Sequence, residues 1–198
     1  MGLLSLEHSP TVYWADFAWH AAVALALAVV VGAGVPATPA AGLAAAGLVA
    51  AGLLLWTLIE YLLHRFVLHG LPPFSHWHAL HHHRPRALIC GPTLLSSALI
   101  AVLVFAPAWA LLGTAHAEAL TLGLVLGYLA YGVVHHGVHH GGGGAWMRGR
   151  RRWHGLHHHA PAPGGYGVST GLWDRVFASV PTPGLRRPTT HHLPAAPH

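Results

Sequence analysis

Long apolar blocks alternate with shorter polar, histidine-rich segments along this chain of 198 residues. An α-helix needs about 20 predominantly apolar residues to cross the hydrocarbon core of a bilayer, and four blocks come close to or exceed that length. Buried core helices are the alternative, but blocks of this length with almost no charge favour membrane spans. The pattern therefore predicts an all-α membrane protein with four transmembrane helices in two hairpins. The predicted spans are residues 17–35, 40–63, 94–112 and 117–134.

The polar segments predict how the chain is organised around these spans. The histidine-rich segments follow the second and fourth spans, so we expect them to form a helical cap on one face of the membrane domain. Proline and threonine dominate the end of the chain, which predicts a disordered tail. The predicted regions are a juxtamembrane lead, a membrane domain with a two-part cap, and the tail: residues 1–16, 17–180 (cap 64–83 and 135–180) and 181–198.

The composition agrees with a membrane location and argues against other classes of protein. A mean hydropathy of +0.49 with only 8% charged residues is too apolar for a soluble domain of this size. The isoelectric point near 10.2 comes from arginines along the rim of the predicted spans. Anionic lipid head groups explain such a rim better than nucleic acid does, so we expect no nucleic-acid partner. The single cysteine, Cys90, excludes an internal disulfide and a cysteine-ligated iron–sulfur cluster.

The distribution of charge predicts the orientation of the spans. All ten basic residues are arginines that follow the second span. They are Arg65, Arg84 and Arg86 before the third span, and seven more from Arg148 onward. The connections at residues 35–39 and 113–115 carry none, so the positive-inside rule places the arginines, the histidine clusters and both termini in the cytoplasm. Glu7 and Asp16 precede the first span without any basic residue, unlike a signal peptide, which predicts a retained span.

Ten of the 21 histidines form four tight clusters, each at the end of an apolar block or in the stretch that follows one. Neutral imidazole is the commonest protein ligand for transition metals, and spacings of three and four residues place rings on one face of a helix. Because the topology gathers the clusters on one side of the membrane, they predict a preformed site for two metal ions. The ten predicted ligands are His64, His69, His78, His81, His82, His135, His139, His154, His157 and His158.

Two further expectations concern the surroundings of these ligands. His64 and His69 would diverge by about 140° on a regular α-helix, so the helix must end or distort near His69 if both bind. A ligating ring also needs its second nitrogen anchored, and the candidates for that role are Glu60, Tyr131 and Asp174.

The remaining histidines fall into two sets. The first set adjoins proposed ligands, and a member could replace its neighbour: His83, His136, His140 and His159. The second set has no cluster partner and is predicted to be interfacial: His8, His20, His76 and His116.

The clusters alone do not choose the metal, because imidazole suits zinc, copper, iron and nickel. A structural zinc takes four ligands, usually with some thiolate, whereas two ions with incomplete shells suggest redox or oxygen chemistry. A histidine-rich metal transporter or sensor is the alternative from another class. Transport needs ligands near the bilayer midplane, and here the ligands collect on one side.

The segments that carry the clusters resemble the fatty acid hydroxylase superfamily, which includes sterol desaturases. The resemblance begins with residues 60–69, 78–82 and 131–139. It is most specific in His154-Gly155-Leu156-His157-His158 and in the stretch that ends with Trp173-Asp174, which are similar to fatty acid 2-hydroxylases. The likeness covers roughly residues 60–181.

The resemblance implies an integral-membrane, non-haem di-iron monooxygenase whose ten histidines hold two iron ions, which zinc can replace. It implies that oxygen from O2 is inserted into a C–H bond of a lipid in the membrane, with fatty acyl hydroxylation as the leading reaction. Electrons would come from an external NAD(P)H-linked donor, a ferredoxin or cytochrome b5-like redox partner with its reductase. The arginines of residues 148–152 are a candidate docking face for that partner or for lipid head groups.

The lipid class stays open in the sequence. Only eight residues separate His69 from His78, fewer than is usual in fatty acid 2-hydroxylases. This compactness and Arg84-Pro85-Arg86 also resemble bacterial carotenoid hydroxylases. The alternatives on the same histidine framework are therefore a carotenoid hydroxylase and a sterol or lipid desaturase.

Overall fold

The computed structural model describes residues 7–89 and 91–183, and this part of the chain is built from helices. Four of its helical segments are long and apolar enough to cross a membrane, which confirms the predicted all-α, four-span architecture. Most of the predicted tail, residues 181–198, lies outside the described residues. The helices are α1 Pro10–Gly34, α2 Pro39–Leu62 with a π-helical turn Leu63–Leu68, α3 Phe74–His83, α4 Thr93–Ile100, a π-helical segment Ala101–Phe105, α5 Ala106–Leu112, α6 Thr114–His140, α7 Ala145–His159 and α8 Leu172–Val176.

The first and last spans are longer than their apolar blocks predict. Helix α1 begins at Pro10, so part of the predicted lead is helical. Ser9 caps this helix by accepting a hydrogen bond from the backbone N–H of Val12, and a proline at the first helical position lacks the N–H that would otherwise be unpaired. Helix α6 continues without a break to His140, so it carries the third histidine cluster on its last turns.

The central pair of helices is α2 and α6, which approach so closely that only glycine fits between their backbones. A Cβ added to Gly52 would lie 2.1 Å from the carbonyl oxygen of Leu120, and one added to Gly123 would lie 2.0 Å from that of Val49. Small residues at a helix contact permit this approach in membrane proteins. The contact sets the relative position of the two helices whose ends carry histidines.

The third span is distorted next to Pro107, where the sequence predicts a kink. The π-helical segment Ala101–Phe105 separates α4 from α5 immediately before the proline. Proline has no N–H to donate and its ring crowds the preceding turn, so a helix commonly rearranges there. This span lies at the periphery, because only 6% of its most apolar window is buried inside the protein.

The sequence-based prediction for His20 is wrong, because this residue is buried inside the bundle rather than interfacial. His20 is 1% exposed, and its Nδ1 lies 2.9 Å from the carbonyl oxygen and 3.3 Å from Oδ1 of Asp16. The Asp16 carboxylate accepts hydrogen bonds from the Thr93 hydroxyl at 2.8 Å and the Tyr128 hydroxyl at 3.1 Å. This polar cluster joins α1 to α4 and α6, and it satisfies groups that would otherwise be costly in an apolar bundle.

Glu7 and His8, the first described residues, lie at the histidine-bearing end of the bundle. Arg84, just after α3, donates two hydrogen bonds to the carboxylate of Glu7, at 2.9 and 2.8 Å. The backbone N–H of His8 donates to the carbonyl of Leu88 at 2.9 Å. The N-terminal end of α1 and the connection between α3 and α4 are therefore on the same side.

Candidate metal centre

The structure brings histidines from all four sequence clusters together at one end of the bundle. They form two groups in which each side chain offers a ring nitrogen within 4.8 Å of the others. The first group is His64, His69, His78 and His157, and the second is His81, His139, His154 and His158.

The last two predicted ligands border these groups. The Nε2 of His82 lies 3.1 Å from that of His78 in the first group. The Nε2 of His135 lies 3.3 Å from that of His81 in the second. All ten predicted ligands therefore surround the same two positions.

The distances between ring nitrogens fit those expected for ligands of a shared metal ion. The Nε2 atoms lie 2.8 Å apart in His139 and His154, and 3.0 Å apart in His64 and His78. Nitrogens about 2.0–2.1 Å from one ion are about 2.9–3.4 Å apart when adjacent bonds make angles of about 90–109°. Six such pairs span 2.8–3.3 Å, so the rings are spaced as ligands of shared ions would be.

A π-helical turn brings the two histidines of the first cluster, His64 and His69, onto the same side of the helix. The backbone N–H of His69 donates to the carbonyl of His64 at 3.2 Å, five residues back. A π-helix has more residues per turn than an α-helix, which brings positions five apart onto one side. The ring centroids of His64 and His69 are 5.2 Å apart. The distortion that the sequence required is therefore present.

The second and fourth clusters each serve both groups. On α3, His78 belongs to the first group and His81 to the second, with ring centroids 5.5 Å apart. On α7, His154 and His158 are four residues apart and share the second group, while His157 points to the first. Positions three and four apart on a helix are neighbours on its surface, so one helix can supply adjacent sites.

Backbone carbonyls fix the orientation of two rings in the first group. The Nδ1 of His64 donates to the carbonyl of Tyr166 at 2.6 Å, and the Nδ1 of His157 donates to that of Gly164 at 2.8 Å. A carbonyl oxygen only accepts, so in the neutral rings each Nε2 carries a lone pair. These two nitrogens are therefore free to bind a cation.

Glu60 and Asp174 hold the histidine rings through a loop, whereas the sequence suggested a direct contact with the rings. Glu60 accepts hydrogen bonds from the backbone N–H groups of Val168 and Ser169, at 2.6 and 2.9 Å, and from the Ser169 hydroxyl. Asp174 accepts from the N–H groups of Tyr166 and Gly167, at 2.9 and 2.8 Å. We call residues 164–169 the anchoring loop, because its carbonyls hold the histidines while the two carboxylates hold the loop.

Tyr131, the third residue predicted to anchor a ligand, packs against the ring of His135. Its aromatic ring is stacked on His135 with centroids 5.6 Å apart and an interplanar angle of 7°. This contact restricts rotation of the His135 side chain at the end of α6.

Arg150 also holds the anchoring loop, although the sequence predicts that it belongs to a docking face. Its guanidinium donates to the carbonyls of Val168 and Gly167, at 2.8 and 2.5 Å, and lies over the ring of Trp153. It therefore supports the anchoring loop from inside the cap. Arg148 and Arg152 are the exposed arginines of α7.

Burial keeps the histidines of the cap uncharged. Burial, reinforced by neighbouring rings, lowers the pKa of His81 and of His157 to about 3 and that of His82 to about 4. It also lowers the pKa of His78 and of His158. Neutral imidazole is the form that binds metals, so the cap holds its ligands ready at neutral pH.

The spare histidines next to the ligands lie outside both groups. His136 faces α1, where its Nδ1 lies 3.1 Å from the Tyr13 hydroxyl, and its ring is stacked on His140. His159 is exposed at the end of α7. The geometry therefore distinguishes members of adjacent pairs that the spacing left open.

Residues 49–179 match the Fatty acid hydroxylase family, about two thirds of the chain. The chain belongs to the fatty acid hydroxylase family. Among the curated relatives of this chain, the dihydroceramide fatty acyl 2-hydroxylase FAH2 of Arabidopsis thaliana is 32% identical over 112 residues, 52% of this chain and 45% of the relative. Its counterpart FAH1 from the same plant is 33% identical over 113 residues, 53% of this chain and 45% of the relative.

The fold of this chain is also similar to a solved structure. The hydroxylase domain of full-length Scs7p superposes with a TM-score of 0.74 at 27% sequence identity. The match covers 88% of this chain and 67% of that one. The chain spans about half the length of the curated relatives it matches.

Proposed function

We propose that this fatty acid hydroxylase is a membrane-bound, non-haem di-iron monooxygenase that hydroxylates the acyl chain of a lipid. The observation that carries the proposal is the convergence of Nε2 atoms from four distant clusters on two adjacent positions. Membership of the family and the similarity to dihydroceramide fatty acyl 2-hydroxylases support the acyl chain as substrate.

The donor set supports two iron ions held by histidine nitrogen, and zinc accepts the same ligands. The first ion would be bound by His64, His69, His78, His82 and His157, and the second by His81, His135, His139, His154 and His158. Two iron ions there would activate O2 for insertion of one oxygen atom into a C–H bond. The chain itself orients the rings, through the anchoring loop and the stacked Tyr131, and keeps them neutral by burial.

The position of the site supports a substrate that arrives from the bilayer. Apolar side chains remain exposed on the same helical turns as the ligands: Phe66 is 54% exposed between His64 and His69, and Val133 is 56% exposed just before His135. Lipid chains at this depth would lie next to the turns that carry the ligands. An acyl chain dissolved in the membrane can therefore reach the site without leaving hydrocarbon.

The proposed orientation puts the metal site and both termini in the cytoplasm. The eight arginines of the described residues lie at or beyond the histidine-bearing helix ends, as the positive-inside rule requires. Electrons would come from a separate ferredoxin or cytochrome b5-like partner and its NAD(P)H-linked reductase. The exposed Arg148 and Arg152 are the arginines of α7 available to such an acidic partner.

The test is product analysis under labelled oxygen in cells that express the full chain. Acyl lipids extracted after growth under ¹⁸O₂ should contain labelled hydroxyacyl groups, and cells that express His81→Ala should lack them. Purified protein reconstituted with iron should hold about two ions per chain, as the two groups require. Products with a new double bond and no added oxygen would contradict hydroxylation, and one labile ion without any oxidised lipid would contradict an oxygenase.

A further inference from the structure

A cavity of about 210 Å³ opens beside the second histidine group. It lies between the end of α6, α7 and the connection that follows α3. Its walls include three ligands of the second group together with two arginines: His139, His154, His158, Arg86 and Arg151. A molecule in this cavity would therefore touch the outside of the proposed metal site.

The two arginines of the cavity have no carboxylate partner among the described residues. The chain has five carboxylate side chains. Four of them belong to the Glu7 ion pair, the polar cluster of α1 and the anchoring loop. The fifth, Glu118, is about 30 Å along α6 from the cavity, at 1.5 Å per residue. Among the described residues, no carboxylate lies within ion-pair distance of Arg86 or Arg151.

Arg151 is held in place by a backbone carbonyl. Its guanidinium donates to the carbonyl of Gly142 at 2.7 Å, which fixes the side chain at the end of α6. Its Nε atom is covered from solvent and has no hydrogen-bond partner among the described residues. Because that atom is covered, an anion in the cavity would meet the charge of the guanidinium rather than Nε, and a charge-assisted contact would offset that charge.

We propose that Arg86 and Arg151 bind the anionic head group of an acyl lipid, a carboxylate or a phosphate, in this cavity. Planar guanidinium groups recognise both anions through paired hydrogen bonds. The volume is below the range of about 300–1,000 Å³ typical of sites that enclose whole ligands, so it suits a head group whose chain lies outside it. As a statement about substrate, the assignment rests on the proposed function.

This site has a consequence for the position that is oxidised. A head group in the cavity would lie against His139 and His158 of the second histidine group. The first carbons of the attached chain would then be the closest ones to the proposed metals. Oxidation is expected near the acidic end of the lipid, and a neutral lipid should bind there more weakly.

The experiment measures ligand binding to the full-length, metal-loaded protein in a neutral detergent by isothermal titration calorimetry. The probes are octanoate, octanamide as its neutral counterpart, and inorganic phosphate. The variants are Arg86→Gln and Arg151→Gln, with Arg152→Gln as the control because Arg152 is an exposed arginine of α7 outside the cavity. Octanoate binding should weaken at least about tenfold in the first two variants and stay unchanged in the control, since a charge-assisted contact is lost.

Each alternative outcome is decisive. Equal octanoate affinity in Arg86→Gln and Arg152→Gln would overturn the site. Arg86 makes no hydrogen bond with a described residue, so this variant does not disturb a structural contact as Arg151→Gln does. Two results would overturn the head-group assignment. One is octanamide that binds as tightly as octanoate, and the other is an arginine variant that loses phosphate binding but retains octanoate binding. Binding is measured without turnover, so a chain that binds octanoate but oxidises no lipid contradicts only the proposed function.

Discussion

The ring of His69 lies with its centroid 5.2 Å from that of His64, although five residues separate them along one helix. The backbone of α2 changes from α-helical to π-helical at Leu63, and the N–H of His69 donates to the carbonyl of His64. A regular α-helix would place the two side chains about 140° apart. The first cluster therefore depends on a local distortion of a transmembrane helix to present two ligands to one site.

Replacement of His157 by alanine should remove one ion while the other stays. His157 is the histidine that α7 supplies to the first group, and its loss leaves four of the five histidines proposed for the first ion. Metal analysis of the purified variant should give about one ion per chain instead of two, with membrane insertion unchanged and lipid oxidation lost. His159→Ala, on the same helix and outside both groups, should keep both ions. A His157→Ala variant that retains both ions and turnover would remove this residue from the ligand set.

Replacement of Glu60 by glutamine should weaken metal binding without touching a ligand. The amide places a donor group among three donors of the anchoring loop, from Val168 and Ser169. Loss of these hydrogen bonds should leave buried donors of the loop unpaired, at a cost of about 1–3 kcal/mol. Replacement of a residue that supports the metal ligands typically lowers metal affinity about 10–100-fold, and competition with a chelator would measure this change.

The matched control for that variant is Glu118→Gln, because Glu118 lies at the opposite end of α6. It should leave metal affinity unchanged. Equal affinities for Glu60→Gln and the native chain would show that the loop does not depend on this carboxylate.

Replacement of Gly123 by alanine should force α2 and α6 apart. The new Cβ would lie 2.0 Å from the carbonyl oxygen of Val49, a distance that the backbone cannot accept without moving. Overpacking of this kind costs about 1–3 kcal/mol, so the thermal unfolding midpoint should fall. Gly47→Ala on α2 has open space around its Cβ and should leave the midpoint unchanged or slightly raised. Similar midpoints for both variants would contradict the close approach of the helices.

The metal-free protein should lose stability as the pH falls from 7 toward 4. The pKa of His81 and of His157 in the folded cap is about 3, below the value of about 6.5 for a free imidazole. Between these values the unfolded chain binds more protons than the folded chain, so the free energy of unfolding rises with pH. The loss of stability begins as the pH falls below about 6.5 and is complete once the pH is below the folded values.

Chemical denaturation of the metal-free protein at several pH values would measure this slope. His81→Gln removes one of the buried rings and should make the slope shallower. A denaturation midpoint that does not change between neutral and acidic pH would show that the folded cap accepts protons as easily as the unfolded chain does.

The sequence was sufficient for the features that depend on local pattern. Apolar block length predicts the four spans, and imidazole spacing predicts the ten histidines that meet. It could not assign these ligands to two groups, because His157 joins residues of α2 and α3 only when the whole bundle has packed. Nor did it show that Glu60 bonds to a loop more than 100 residues away, at Val168 and Ser169.

The polar cluster of α1 illustrates the same limit. Asp16 and His20 are four residues apart, which is compatible with a pair on one helix face. Their burial depends on Thr93 and Tyr128, which come from two other spans. No property of the first span alone distinguishes a buried pair from an interfacial one.

The anchoring loop and His157 follow the last span in the sequence, so the ribosome makes them after all four spans. Every span has been synthesised before His157 and the carbonyls of Gly164 and Tyr166 emerge. Until then the nascent hairpins carry an incomplete set of ligands and no anchor for His64. Loading with the proposed metal ions would therefore be a late event in biogenesis, and a chain that stalls before the last helices should be inserted in the membrane without metal.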